Sequence, residues 1–356
     1  MGGSPVSADT DRADRTGRHR QAGEGTLRAP LRPRIWTRYV LALVAVVGVI
    51  ATVLLFAVHD IKDPPQTGPT APTAFPSGSP SGSTSLPTSP DSYVGLYPNG
   101  APYSYAGVTA FTHAAGVKPT LVLYYSGWLE SFKESFAMAV SNNGAVPLVQ
   151  IDPKDVSLKA IASGDYDEYL SGYAKSVRAY RRPVILSFGH EMNGYWYSWG
   201  YRNTPPAVFV AAWRHIVSLF RSVGARNVTW MWTINTIHKR ANVPSPGPWW
   251  PGASYVNWVG IDGYYFTSSN TFAPTFGPTI AAVRVLTHDP ILIAETAAPS
   301  GANQAAKVSD LFTGIHLYGL LGLVWFDAVH TQDWRLTGHA AMAAFRRGAE
   351  MYHRPS

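Results

Sequence analysis

Two glutamates stand where a carboxylate is costly. Glu191 follows the apolar run PVILSF that begins at Pro183, and Glu295 closes PILIAE from Pro290, in a chain of 356 residues with only 22 acidic side chains. An acid buried there without partners would cost several kcal/mol. Taken singly, either glutamate could be a helix cap or half of a salt bridge. Taken as a pair at two strand ends, they are the equipment for breaking a glycosidic bond. One protonates the leaving oxygen, and the other attacks the anomeric carbon or activates water. Flat Trp and Tyr rings would offer platforms to the CH faces of sugars, and the chain holds 12 Trp and 19 Tyr. Eight of the tryptophans (196, 199, 213, 230, 232, 249, 250 and 258) fall between Tyr195 and Val259. Trp213 reads as core on its helix, and most of the others are expected to mark a sugar-binding cleft.

Other chemistries lose their residues. His190-Glu191 opens an H-E-x-x-H zinc motif, but position 194 is Gly, so the second histidine is missing. The chain has no cysteine, which removes disulfides, thiolate zinc sites, iron–sulfur centres and a cysteine nucleophile. No G-x-S-x-G elbow occurs, and no G-x-G-x-x-G follows a strand. Neither a metal nor a cofactor is expected.

The elements that must carry the two acids are eight β-rich runs. They begin at Tyr93, Thr120, Val146, Pro183, Val228, Trp258, Pro290 and Gly322. Amphipathic stretches lie between them, clearest over 165–180, 205–223, 279–286, 304–318 and 338–351. Eight strands alternating with helices over residues 93–356 predict a (β/α)8 TIM barrel, with the chemistry at the carboxyl ends of its strands. A doubly wound open sheet is the rival topology, without its dinucleotide fingerprint.

Ahead of this domain the composition changes twice. Residues 1–38 carry eight arginines against four acidic residues, a net of +4 within the chain's +7, and read as a disordered basic tail. Residues 39–58, YVLALVAVVGVIATVLLFAV, hold no charge and are about as long, as a helix, as a bilayer core is thick. Arg34, Trp36 and Arg38 precede this run and orient it as a signal anchor with the tail inside the cell; a cleaved signal peptide is the alternative. Residues 59–92 are rich in Pro, Ser and Thr and predict an extended linker. The expected topology is a single pass with the barrel outside. Most of the basicity then reports topology, and no nucleic-acid partner is expected.

The stretch Gly189-His190-Glu191-Met192-Asn193-Gly194-Tyr195-Trp196-Tyr197-Ser198-Trp199-Gly200 resembles the acid/base motif of glycoside hydrolase family 26, most of whose characterised members are endo-β-1,4-mannanases. The resemblance continues through 227–232, 255–264 and Ala294-Glu295. It implies a retaining double displacement with Glu191 as acid/base and Glu295 as nucleophile. It also implies His190 and Trp199 beside the attacked sugar, and Tyr264 (or its neighbour Tyr265) bonded to the nucleophile. Trp325 would be the sugar platform, and Trp232 and Asp262 further contacts. The chain departs from the family pattern at Ser198 and at Thr233-Ile234-Asn235, positions expected to shape subsites without touching the carboxylates. Glu191 is expected to have a raised pKa and Glu295 to stay charged. The activity implied is that of a β-mannanase-like polysaccharide hydrolase. Alternatives are β-1,3-xylan, mixed-linkage β-glucan or a self-made surface polysaccharide as substrate, or a catalytically silent carbohydrate-binding protein.

Overall fold

The computed structural model describes residues 85–238 and 242–352. The basic tail, the apolar span 39–58 and the linker up to residue 84 lie outside the described residues. Among those described, no helix is long and apolar enough to cross a membrane.

Eight strands close into one barrel in sequence order, every neighbour parallel. They are β1 (Tyr93–Pro98), β2 (Leu121–Gly127), β3 (Val146–Asp152), β4 (Val184–Phe188), β5 (Val228–Asn235), β6 (Trp258–Asp262), β7 (Ile291–Thr296) and β8 (Gly322–Asp327). The helices are α1 (Ala106–Ala115), α2 (Glu134–Asn142), α3 (Leu158–Ala162), α4 (Asp167–Tyr180), α5 (Pro206–Val223), α6 (Phe272–Leu286), α7 (Gln304–Leu317) and α8 (His339–Tyr352). Among the described residues, the crossover from β5 to β6 has only two 3₁₀ turns, Gly247–Trp249 and Ala253–Tyr255. The barrel predicted from the strand count is therefore the fold.

Alternation along the strands divides the core in two. Leu121, Leu123, Leu148, Ile185, Met231, Trp258, Leu292 and Val324 fill the barrel, while the intervening residues face the helices. Both faces are buried, as parallel sheets require. Gly260 is needed inside, because a Cβ there would come within 2.7 Å of Thr233 Oγ1 and 2.9 Å of Ala294 Cβ.

Helices α1, α2 and α3 have little helical signature in sequence. They form because the crossovers bury Val108 and Phe111, Phe136 and Val140, and Leu158 and Ile161, tertiary packing overriding weak propensity. Helix α6 starts at Phe272 rather than 279 and carries Pro278 inside it. Burial of Phe272 and Phe276 outweighs the lost hydrogen bond.

The chain closes the barrel floor before it enters β1. Leu86 packs against the interior cluster, and the Tyr93 hydroxyl donates to Pro87 O at 2.8 Å. Asp91 N donates to Leu320 O at 2.9 Å, while the Asp91 carboxylate meets His316 Nδ1 at 2.7 Å.

Candidate active site

Beyond Phe188 the chain leaves β4 through two left-handed residues, Gly189 (φ 57°) and Glu191 (φ 54°). The second is unusual for a side chain of that size. Its neighbours hold it there. Gly189 N donates to Ile151 O at 2.9 Å and Glu191 N to Thr233 O at 3.0 Å, so β3 and β5 grip the turn from both sides. Asn193 reinforces it, donating to Asn235 O at 2.8 Å and accepting from Asn235 N at 2.9 Å. The turn aims the Glu191 carboxylate inward, where Trp196 Nε1 donates to Oε2 at 2.7 Å and Asn235 Nδ2 donates to Oε1.

Glu295 reaches the same space by a different device. Ile261 pairs with Ile293 but Asp262 pairs with Glu295, so β7 carries a bulge. The extra residue re-aims the strand: Ala294 stays in the barrel core, and Glu295 turns into the cleft. Its carboxylate accepts from the phenols of Tyr264 and Tyr125. Tyr265 points elsewhere, donating to Asp310 Oδ2 at 2.9 Å, so Tyr264 is the partner.

His190 is buried between Asp152, 2.8 Å from Nδ1, and the Tyr197 hydroxyl, 3.1 Å from Nε2. Burial opposes its charge, but the charge and hydrogen bond of Asp152 outweigh that and raise its pKa to about 9. The imidazole is then a cation near neutral pH. Burial pushes Glu191 up to about 7; the His190 charge pulls the other way, and the Glu295 charge adds to the rise. Glu191 is therefore protonated in a large fraction of molecules at pH 7. Burial, then the Glu295 charge, raises the phenols of Tyr125 and Tyr264 well above their ordinary value. They remain hydrogen-bond donors throughout.

These groups line a cleft of about 570 Å³ at the carboxyl end of the barrel. Tyr97, Phe326, Tyr264, Phe266 and Trp334 form one wall, and Trp196 and Tyr197 stand on the other elements around it. Phe326 stacks on Tyr97 (4.6 Å, 26°), and Trp334 lies 4.8 Å from Tyr264.

Of the residues predicted for the site, Glu191, Glu295, His190 and Tyr264 come together in this cleft. Trp325 does not. It faces the helices, fully buried against Phe345, and the next residue, Phe326, holds the cleft position. Trp232 is likewise outside the barrel, 5.1 Å from Trp250, while Thr233 points in. Trp199 is buried behind the site; its indole donates to His190 O at 2.8 Å and its ring stacks on Tyr197 (4.3 Å, 9°). Asp262 is buried, its pKa raised by burial and then by the Glu295 and Glu191 charges.

Sequence reasoning missed Tyr125, Asp152, Tyr197, Phe326 and Trp334. It also misjudged Asn235, which does touch a carboxylate. Of the eight clustered tryptophans only Trp196 lines the cleft; Trp199, Trp213, Trp230, Trp232, Trp249 and Trp258 are buried. Their abundance is mainly core packing. Among the described residues no group of three or more His, Asp or Glu is placed to hold a metal.

The family model for glycosyl hydrolase family 26 matches residues 146–335, a span that includes both glutamates. The chain belongs to glycosyl hydrolase family 26. Endoglucanase H of Acetivibrio thermocellus is 31% identical over 271 residues, covering 71% of this chain and 29% of that protein. The β-1,3-xylanase TXYA of a Vibrio species is 25% identical over 167 residues, 43% of this chain and 35% of that protein. The chain thus spans about a third of the length of these relatives. Among solved structures, the Bacillus subtilis mannanase BCman superimposes with a TM-score of 0.54 at 16% identity, covering 73% of this chain and 85% of that one. A Cellulomonas fimi endo-β-1,4-mannanase gives 0.53 at 16%, covering 67% and 64%. At such identity these two likenesses speak to the fold.

Proposed function

We propose that this family 26 glycosidase is a retaining endo-β-glycanase, with β-1,4-mannan its leading substrate, anchored by residues 39–58 with its barrel outside the cell. The observation that carries the chemistry is the unequal treatment of two acids in one cleft. Glu191 is buried and its pKa is raised to about 7, which suits a general acid. Glu295 instead accepts from two phenols, which fix its carboxylate in the cleft as an attacking group requires.

In the first step Glu295 attacks the anomeric carbon while Glu191 gives its proton to the departing oxygen. In the second, Glu191, now a base, takes a proton from water as water breaks the glycosyl–Glu295 bond. The charged His190, held by Asp152 and Tyr197, stands next to Glu191 and balances the negative charge that Glu191 acquires between the steps. Phe326 with Tyr97 supplies the flat floor that Trp325 was expected to provide.

The likeness to Endoglucanase H favours a second reading, a β-glucan as substrate. Measuring reducing-sugar release from mannan, glucomannan, mixed-linkage β-glucan and β-1,3-xylan distinguishes the two. Release from none of them, with binding intact, would make the protein a carbohydrate-binding module. The nucleophile is tested by Glu295→Ala, expected to lower kcat by orders of magnitude; a loss of only a few-fold would overturn the assignment. Anomeric configuration of the first product, followed by NMR, tests retention. Proteolysis of intact cells tests the topology, since an outer barrel is shaved from the surface and an inner one survives.

A further inference from the structure

A second cavity, of about 140 Å³, lies between the loop after β6 and the loop leading from β7 into α7. One residue, Phe266, lines both this pocket and the cleft. Its ring is half exposed, 5.8 Å from Tyr264 and 5.6 Å from Trp334. Tyr264 is bonded to Glu295, whereas the aromatic partner of Glu191 is Trp196. The pocket therefore adjoins the cleft, across Phe266, on the side of Tyr264 and Glu295, where the mechanism above holds the attacked sugar.

The pocket is built before anything enters it. Buried Gln304 beneath it donates to Ala298 O and Arg335 O, each at 2.9 Å, and accepts from Thr337 N at 2.9 Å. Ser300 ties the β7 and β8 loops, its N donating to Asp333 O at 2.9 Å and its Oγ to Arg335 O at 2.8 Å. On the far wall, Thr267 N donates to Asn270 Oδ1 at 2.8 Å.

Its chemistry is that of a small neutral polyol site. No carboxylate lines it, and Lys307, its one cation, is already engaged: Nζ donates to Asn270 O and stands 5.9 Å from the Tyr265 ring. The Thr267 hydroxyl is bonded to Ser269 and Asn270 within its loop, so the remaining lining offers the Ser268 hydroxyl, the Asn303 amide and the face of Phe266. At 140 Å³ beside 570 Å³, it has about a quarter of the space of a cleft that must seat consecutive sugars. We propose that it receives a single neutral sugar carried as a side branch on the glycone part of the polysaccharide, so that the enzyme accepts branched chains on that side of the cut. This rests on the glycanase reading above.

The test uses the full chain and its Ala302→Trp variant, an exposed rim position where a large ring fills the pocket. Paired substrates are linear mannan and glucan oligosaccharides and the same backbones with one galactosyl or xylosyl branch. The parent should cleave a branched member, leaving the branched unit on the new reducing end. In the variant the branched-to-linear ratio of kcat/KM should fall about ten-fold or more, the worth of a few lost pocket contacts. A ratio within two-fold of the parent, with linear activity showing the variant folded, overturns the pocket while the glycanase reading stands. So does a parent that cleaves no branched member. If the parent cleaves neither kind, the glycanase reading fails, and calorimetric titration with the same oligosaccharides decides the pocket. Tighter binding of a branched member, lost in Ala302→Trp, supports it, and equal binding overturns it.

Discussion

Asn235 sets how far the Glu191 proton can be used. Its amide donates to Glu191 Oε1 and so favours the carboxylate, as does Trp196, against the burial that favours the acid. Asn235→Ala removes a brake on an already raised pKa. In the proposed mechanism Glu191 must be protonated to start the reaction, so activity should be lost as pH rises through its pKa, about 7 in the parent. The alkaline limb of kcat/KM should move upward in the variant, with kcat itself reduced; an unmoved limb would deny the contact its role. The same shift has a sign for stability. A carboxyl whose folded pKa lies above its unfolded value binds its proton more firmly when folded, so stability falls as pH climbs from about 4.5 to about 7. Glu191→Gln keeps the shape and cannot ionise. It should be more stable than the parent at pH 8, by on the order of 2 kcal/mol and with a correspondingly higher Tm, and differ little at pH 4.5. Equal gains at both pH values would trace the effect to something other than charge. The two acids were legible in the sequence because each interrupts a strongly apolar run. Asn235, Tyr125 and Asp152 were not, since ordinary polar residues at strand ends carry no mark of which neighbour they will face.

Trp325 and Phe326 show why strands were easier to find than their faces. In a parallel barrel both sides of a strand are buried, so β8 reads GLVWFD with apolar side chains on either parity. Nothing in that run says that Val324 and Phe326 point inward and Trp325 outward. The same ambiguity misplaced Trp232 beside Thr233. The bulge that turns Glu295 into the cleft is equally silent in sequence, because Ala294 and Glu295 would have opposite directions in a regular strand. The distinction is measurable. Trp325→Phe should lower stability by about 1–3 kcal/mol and leave KM within two-fold. Phe326→Ala, whose side chain floors the cleft, should raise KM several-fold at a smaller cost in Tm. The opposite pattern would restore Trp325 as a platform. The loop after β8 belongs to the same account. Asp327 Oδ1 accepts from Leu336 N at 2.7 Å, a clasp around the segment that carries His330, Thr331 and Trp334 to the cleft. Asp327→Ala opens the clasp and should raise KM more than it lowers kcat, because it loosens the cleft wall at Trp334, proposed to hold sugar, while the carboxylates stay bonded as before. A loss confined to kcat would show that the loop acts on the chemistry instead.

The barrel separates what it does from where it is entered. Both glutamates sit at the carboxyl ends of the strands, and residues 85–92 cross the opposite end. There Leu86 packs beneath the interior cluster and Pro87 O accepts the Tyr93 hydroxyl, whose ring lies 5.2 Å from Trp258. A segment with the composition of a linker thus ends as part of the domain floor. Composition could not show this, because one half-buried leucine among Ser, Thr and Pro has no periodicity to report it. The consequence can be weighed. A chain starting at residue 93 loses the partial burial of Leu86, worth about 1 kcal/mol, and leaves the buried Tyr93 hydroxyl without its acceptor, worth about another. The Asp91–His316 pair is exposed on its histidine side and adds little. Compared with a chain starting at residue 85, the shorter one should melt about 4–8 °C lower. Its kcat on any substrate that the longer chain cleaves should be unchanged, because the lost contacts lie at the far end from Glu191 and Glu295. Equal melting temperatures would return residues 85–92 to the linker. A fall in kcat without a fall in Tm would mean that the floor communicates with the cleft through the core of Leu148, Met231 and Leu292, which close packing otherwise holds rigid.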